Sequence, residues 1–287
     1  MARTPYVPGV PGDKILRAVG RYHLLTREQL TRLLYRPTSG TFVGEHLTAL
    51  TRHGYLEMHR VPLTIPFGGT PGYWVLTEKG RRFVRPTMEL PPRLHHKPSY
   101  ATYYLLHTVE LNDALIALEL LARDLPGVTL LRVHHERLLK RRPAKVTLAD
   151  GATVSVVPDA WIDLVLAGEP MGIALELDRG TERDAQWRRK VAGLVALGAG
   201  PYREAFAADS MTVAVIATGG AHRLAEIVRW TEQELADLGR RHWREFFWFT
   251  HAIPKTTDPR ALYAAARWVR PFDQTPRPLI ELPQGDR

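Results

Sequence analysis

No cysteine occurs among the 287 residues of this chain. That absence excludes disulfides, thiolate zinc sites and a cysteine nucleophile together. Long apolar runs are missing too. No stretch approaches the ~18 residues of a membrane helix, and the opening MARTPYVPGVPGDK lacks the apolar core of a secretory signal. A cytoplasmic protein with no membrane partner is expected. The chain also lacks a Walker loop, a Gly-x-Gly-x-x-Gly run, a His-Glu-x-x-His pair and Cys2His2 spacing, which removes the common nucleotide and zinc signatures.

Excess charge is absent from two thirds of the chain. Residues 101–287 hold 24 basic and 24 acidic side chains, whereas residues 1–100 hold 15 against 6. The whole net charge of +9 therefore sits in the N-terminal third. Such asymmetry is the footprint of a nucleic-acid-binding module joined to a neutral domain, because neutralising phosphates drives non-specific affinity.

That third reads as three short helices. Asp13 is placed to cap a helix over 14–22, with Ile15, Leu16 and Val19 at helical spacing. Thr26 followed by Gln29 is a capping-box pattern ahead of Leu30, Leu33 and Leu34. A turn over 36–40 leads to a third helix with Val43, Leu47 and Leu50 inward and Gly54 as its stop. Such a trio is a helix-turn-helix, whose third helix usually enters the DNA groove. The β-like segments 55–61 and 73–76, separated by the Pro/Gly-rich loop 62–72, add a wing, and YWVLTEKGRRFV closes the unit. Thr41, Glu45, His46, Thr48, Thr51 and Arg52 are the expected groove-facing residues. Arg60, Lys79, Arg81 and Arg82 are expected to contact phosphates near the wing.

Residues 85–99 are proline-rich and aperiodic, which predicts a linker between a DNA-binding domain over 1–84 and a second domain over 100–287. The adjacent His95 and His96 fit that linker rather than a metal site. Beyond it, a helix over 103–122 precedes β-like runs at 128–133, 152–157 and 160–166, with a polar basic hairpin region at 136–145. MGIALELDRG, a helix over 181–197, the strand MTVAVIATGG, a helix over 222–238 and an aromatic strand over 244–250 follow. This order predicts an α/β fold with a mixed sheet, α+β for the chain as a whole.

Three acids stand out there. Asp159 follows a proline at the start of a strand, and Glu176 and Asp178 end the next on one face. If the strands are neighbours, Asp159 meets Glu176. Two such carboxylates form a hard-oxygen site for Mg²⁺ or Mn²⁺, able to activate water and stabilise a scissile phosphate. Lys190, on the following helix, is placed to polarise the nucleophile or hold a phosphate. Ion pairs within a packed domain are the competing explanation for the same acids.

Helix, Pro-Asp on a strand, then an acid on the next strand resembles the PD-(D/E)xK restriction-endonuclease-like fold. Asp178 stands where that fold usually carries its lysine, and Lys190 is the substitute. A closer resemblance, over about residues 13–240, is to the replication-relaxation family of bacterial plasmids and integrative elements. His107, Asp159, Glu176, Asp178, Arg179, Gly180, Thr181 and Lys190 carry it, with ELDRGTE the most specific stretch. The resemblance implies a winged helix followed by a nuclease-like domain, a role in replication or mobilisation, and strand nicking. It implies a catalytic set of Asp159, Glu176, Asp178, Lys190 and His107, with Asp159 and Glu176 as metal ligands. A tyrosine expected soon after the lysine is replaced by Leu197 and Gly198, with Tyr202 nearest; Tyr103 and Tyr104 lie beside His107.

Three functions stay open at this point. One is a replication or mobilisation initiator that nicks double-stranded DNA with a divalent metal. Another is a non-enzymatic winged-helix regulator whose second domain is a degenerate nuclease-like module for homodimerisation or docking. The third is a host-defence or repair endonuclease.

Overall fold

A computed structural model describes residues 6–60, 72–90 and 101–281. It divides into two compact units, 1–116 and 117–287. The wing loop and the histidine pair lie outside the described residues.

In the first unit α1 (Val10–Tyr22), α2 (Arg27–Leu34) and α3 (Gly40–Arg52) build the helix-turn-helix. The capping box opens α2: the Gln29 N–H donates to the Thr26 hydroxyl, and the Thr26 N–H to the Gln29 side chain, each at 3.1 Å. Helix α1 starts earlier than Asp13 implies, because Pro11 occupies its first turn, where a missing N–H costs nothing. Asp13 instead pairs one turn on with Arg17 at 2.7 Å. Strand β1 (Leu25–Thr26) pairs with β3 (Gly72–Leu76), which pairs with β2 (Leu56–Arg60). This antiparallel ribbon is the wing, and α4 (Glu78–Val84) follows it, capped by the Thr77 hydroxyl. Ile15, Leu16, Leu30, Val43, Leu47 and Leu50 form the fully buried centre.

Helix α5 (Ala101–Asp124) runs across the division between the two units at Ile116/Ala117. Its first half is bound into the winged helix by buried polar contacts. Asn112 donates to the carbonyls of Tyr22 (3.1 Å) and Leu24 (2.8 Å), and Gln29 donates to the carbonyl of Val109 (2.8 Å). Leu105 packs with Leu24, Tyr73 and Val75. Helical periodicity shows that α5 has a buried face but not which module covers it.

The second unit is α/β around a seven-stranded mixed sheet. Its strands are β4 (Val128–His135), β7 (Ala160–Leu166), β8 (Glu169–Asp178), β9 (Thr212–Ala217), β10 (Phe247–His251), β11 (Trp268–Arg270) and β12 (Asp273–Arg277). Their order is β12-β11-β10-β9-β8-β7-β4, with β9 parallel to both β8 and β10 and the other pairings antiparallel. Strands β11 and β12 extend the sheet past the aromatic strand expected to close it. The short α6 (Glu136–Leu139) opens the predicted basic hairpin region, and β5 (Ala144–Thr147) with β6 (Thr153–Val156) forms a separate ribbon. Helices α7 (Asp184–Gly198), α8 (Tyr202–Phe206), α9 (Gly220–Asp237) and α10 (Pro259–Tyr263) complete the unit. Trp161, Trp187, Phe247 and Phe249 fill the core, with Trp161 stacked on Phe206 at 3.9 Å. Among the described residues no helix is long and apolar enough to cross a membrane.

Candidate functional site

A two-residue turn sets the site's register. Ala167 and Gly168, both at positive φ (51° and 93°), join β7 to β8, and left-handed residues at both central positions suit the twist of a hairpin. Pairing runs from Leu166↔Glu169 to Ala160↔Leu175. Asp159 therefore comes level with Glu176 just past the last pair, and its carboxylate accepts the Leu177 N–H at 2.8 Å.

Helix α7 brings the lysine. Trp187 is fully buried and donates its indole N–H to Thr231 of α9 at 2.9 Å, which fixes α7 against the core. Lys190, one turn on, follows on a neighbouring face. Its ammonium donates to Glu176 Oε2 at 3.1 Å and to Glu182 Oε1 at 2.5 Å. Glu176 is 2 % exposed. Burial, reinforced by the negative charge of Asp159, pushes its carboxyl up to about 8 although Lys190 pulls the other way. For Lys190, burial lowers the pKa, but the carboxylates of Glu176, Asp159 and Glu182 outweigh it and hold the ammonium charged.

Asp178 shares the face of Glu176 and has a different neighbour. Arg223 of α9 grips it with two hydrogen bonds, Nε–Oδ2 at 2.7 Å and Nη2–Oδ1 at 2.9 Å. The same guanidinium donates to the Glu182 carbonyl at 2.8 Å, so it ties the strand end to the loop that presents Glu182. Gly180 makes the bend at φ +77°, and its N–H donates to Asp178 at 3.1 Å. Arg188 does not reach these acids; it pairs with Glu234 and Asp237.

The structure thus brings Asp159, Glu176 and Lys190 together and engages Asp178 in a buried ion pair beside them. His107 lies on the part of α5 that belongs to the first unit, as do the exposed Tyr103 and the half-buried Tyr104. Tyr202 is buried and donates its hydroxyl to the Asp209 carbonyl at 3.0 Å. Sequence reasoning passed over Glu182 and Arg223. Glu182 was readable as the last residue of ELDRGTE; Arg223, 45 residues beyond Asp178, leaves no local signal.

In the first unit, Thr41, Glu45, Thr48 and Arg52 are exposed along one stripe of α3, opposite Val43, Leu47 and Leu50. His46 is half-buried, with its ring edge-on to the exposed Phe42 at 4.4 Å. Thr51 is half-buried with its hydroxyl oxygen out of solvent, off that stripe. Arg60 and Arg82 are exposed. Arg81 is half-buried near Glu78, at 4.0 Å, and Lys79 donates to the His53 carbonyl at 2.9 Å while lying 4.2 Å over the Tyr55 ring.

The family model described as replication-relaxation matches residues 16–208, a stretch that takes in most of the winged helix and the whole Asp159–Lys190 cluster. The chain belongs to the replication-relaxation family. No curated protein matches it. Among solved structures, the crystal structure of Bacillus subtilis PadR in complex with operator DNA is similar at 14 % identity, over 40 % of this chain and 68 % of that one, with a TM-score of 0.22.

Asp159 and Glu176 are hard-oxygen donors of the kind Mg²⁺ takes while it keeps several waters. Among the described residues no group of three or more His, Asp or Glu is arranged to hold a metal ion.

Proposed function

We propose that this chain binds double-stranded DNA through its winged helix and nicks it at the Asp159–Glu176–Lys190 site, as an initiator of replication or mobilisation on a plasmid or integrative element. The observation that carries the reading is the meeting of two strand-end carboxylates with a lysine from the next helix. Asp159 and Glu176 would hold Mg²⁺ or Mn²⁺, which supplies an activated water and neutralises charge on the phosphate. Lys190 keeps its proton among three carboxylates, and it is the side chain suited to stabilise charge building on a phosphate oxygen. Asp159 is oriented by the Leu177 N–H, and Asp178 with Arg223 keeps the strand end and the Glu182 loop in place. The charge excess of the first hundred residues supports duplex binding by α3 and the wing.

The test is conversion of supercoiled plasmid to open circles in Mg²⁺ or Mn²⁺. Wild type is expected to nick, and Glu176→Ala and Lys190→Ala to lose at least 100-fold, on the order of one removed electrostatic contact. A second reading has its own observation: Glu176 and Asp178 are both engaged by cations of the chain itself. On that reading the protein is a non-enzymatic regulator whose second unit docks a partner or a second copy. Intact plasmid with retained DNA binding would select it.

A further inference from the structure

The segment between β4 and the Pro158-Asp159 step carries charge that the acid site does not use. Residues 137–156 hold Arg137, Lys140, Arg141, Arg142 and Lys145 against one acid, Asp150, whereas the rest of 101–287 carries an acidic excess; Lys140 pairs back with Glu136. Asp150 is engaged in its own turn, where it accepts the Ala152 N–H at 2.9 Å. Lys140, Arg141, Arg142 and Lys145 are exposed.

The β5–β6 ribbon sorts its side chains by face. Ala144, Val146 and Val156 are buried with Val191 and Leu194 of α7 in one apolar cluster, and Val154 packs against it. The opposite face consists of Lys145 across from Ser155 and Thr147 across from Thr153, all exposed. A polar outer face with a lysine, two threonines and a serine offers donors and holds no carboxylate. Such a two-stranded ribbon is narrow enough to follow a nucleic-acid groove.

The ribbon is also joined to the acid site at both ends. Strand β6 runs through Val157 and Pro158 directly into Asp159. Helix α6, at the other end, donates its Glu136 N–H to the Asp159 carbonyl at 2.8 Å. Beneath the ribbon lies α7, the helix that carries Lys190; Val156 sits so close to Gly193 that an added methyl there would lie 3.0 Å from it.

We propose that the outer face of β5–β6, with Arg142 and Lys145 as its charged anchors, is a second DNA-binding surface that takes the phosphate backbone beside the acid site. This rests on the DNA-acting function proposed above and adds a contact surface in the second unit, where net charge gives no hint of one. Positive charge here offsets the repulsion that Asp159, Glu176 and Glu182 exert on a phosphate.

The test uses the full chain and a fluorescein-labelled 30-base-pair duplex of arbitrary sequence, with anisotropy titrations from about 50 to 300 mM KCl. Arg142→Glu/Lys145→Glu is compared with wild type and with Arg260→Glu, which reverses an exposed arginine on α10. The double variant is expected to bind at least 10-fold more weakly near 100 mM salt, and its log–log salt slope to shrink by about 2 × 0.9. The neutral pair Arg142→Gln/Lys145→Gln is expected to lose the same slope with a smaller drop in affinity. Arg260→Glu is expected to stay within about twofold of wild type. A wild-type slope and affinity in both ribbon variants would overturn the surface while leaving the DNA reading intact, as would an equal loss in Arg260→Glu. No binding by wild type itself would overturn the DNA reading and this proposal with it.

Discussion

Lys190 on α7 lies 3.1 Å from the carboxylate of Glu176 on β8, a side chain with 2 % of its surface exposed. A buried carboxylate in contact with a lysine is a linked unit: removing either partner strands the other. Lys190→Met should therefore destabilise the fold most above about pH 8, where Glu176 has released its proton and would be left as an uncompensated buried charge, by about 3 kcal/mol, the low end for breaking a buried pair. Urea melts measure this. A midpoint equal to wild type would show that the pair contributes nothing, and the double variant Lys190→Met/Glu176→Gln should recover part of the loss.

The same carboxyl makes stability depend on pH. Its folded pKa is raised from 4.5 to about 8, so the folded state keeps a proton that the unfolded chain releases. The contribution is complete below the unfolded pKa and disappears as pH rises towards about 8. In EDTA, wild type should lose stability relative to Glu176→Gln between pH 5 and 8.5. With Mn²⁺ present the trend should weaken or reverse, because a metal ion binds the deprotonated form. Parallel pH profiles for the two proteins would contradict this.

Arg223 and Asp178 form the other buried pair, with side chains 9 % and 0 % exposed. Arg223→Ala should cost about 3–5 kcal/mol because it leaves Asp178 charged and alone. Arg223→Lys should recover little, since an ammonium cannot reproduce the two-pronged grip that also reaches the Glu182 carbonyl. A double-mutant cycle with Asp178→Asn separates the coupling from simple packing loss. A coupling of zero would show that the two residues act independently.

Ala167 is the first central residue of the β7–β8 turn and sits at φ +51°. Left-handed backbone is unfavourable for alanine and tolerated by asparagine. Ala167→Asn should raise stability by about 0.5–1 kcal/mol, read as a higher thermal midpoint with the fold unchanged. A lower midpoint would mean that the left-handed backbone at position 167 holds no strain for asparagine to relieve.

On the DNA side, exposed and engaged cations should separate. Arg52→Ala, Arg60→Ala and Arg82→Ala should each reduce the salt slope of duplex binding by about 1. Lys79→Ala should reduce it less and lower thermal stability, because Lys79 already binds the His53 carbonyl and the Tyr55 ring. Equal slopes for Lys79→Ala and Arg82→Ala would refute the distinction.

Local chemistry determined much of this molecule. The Thr26–Gln29 box, the Gly54 stop, the apolar β-like runs of β7 and β8 and the positive N-terminal third are properties of neighbouring residues, and neighbours are what a sequence displays. ELDRGTE with a downstream lysine likewise marked a strand end followed by a helix. Tertiary structure decided the rest. Which module covers the first half of α5 depends on Asn112 and Gln29 finding carbonyls some 80–90 residues away. Asp178 and Glu176 look equivalent at i, i+2, yet one meets Arg223 and the other Lys190, because α9 and α7 pack over different parts of the same strand end. Burial and charge partners are set by segments distant in the chain, and in this protein they separate an acid gripped by an arginine from one that meets a lysine.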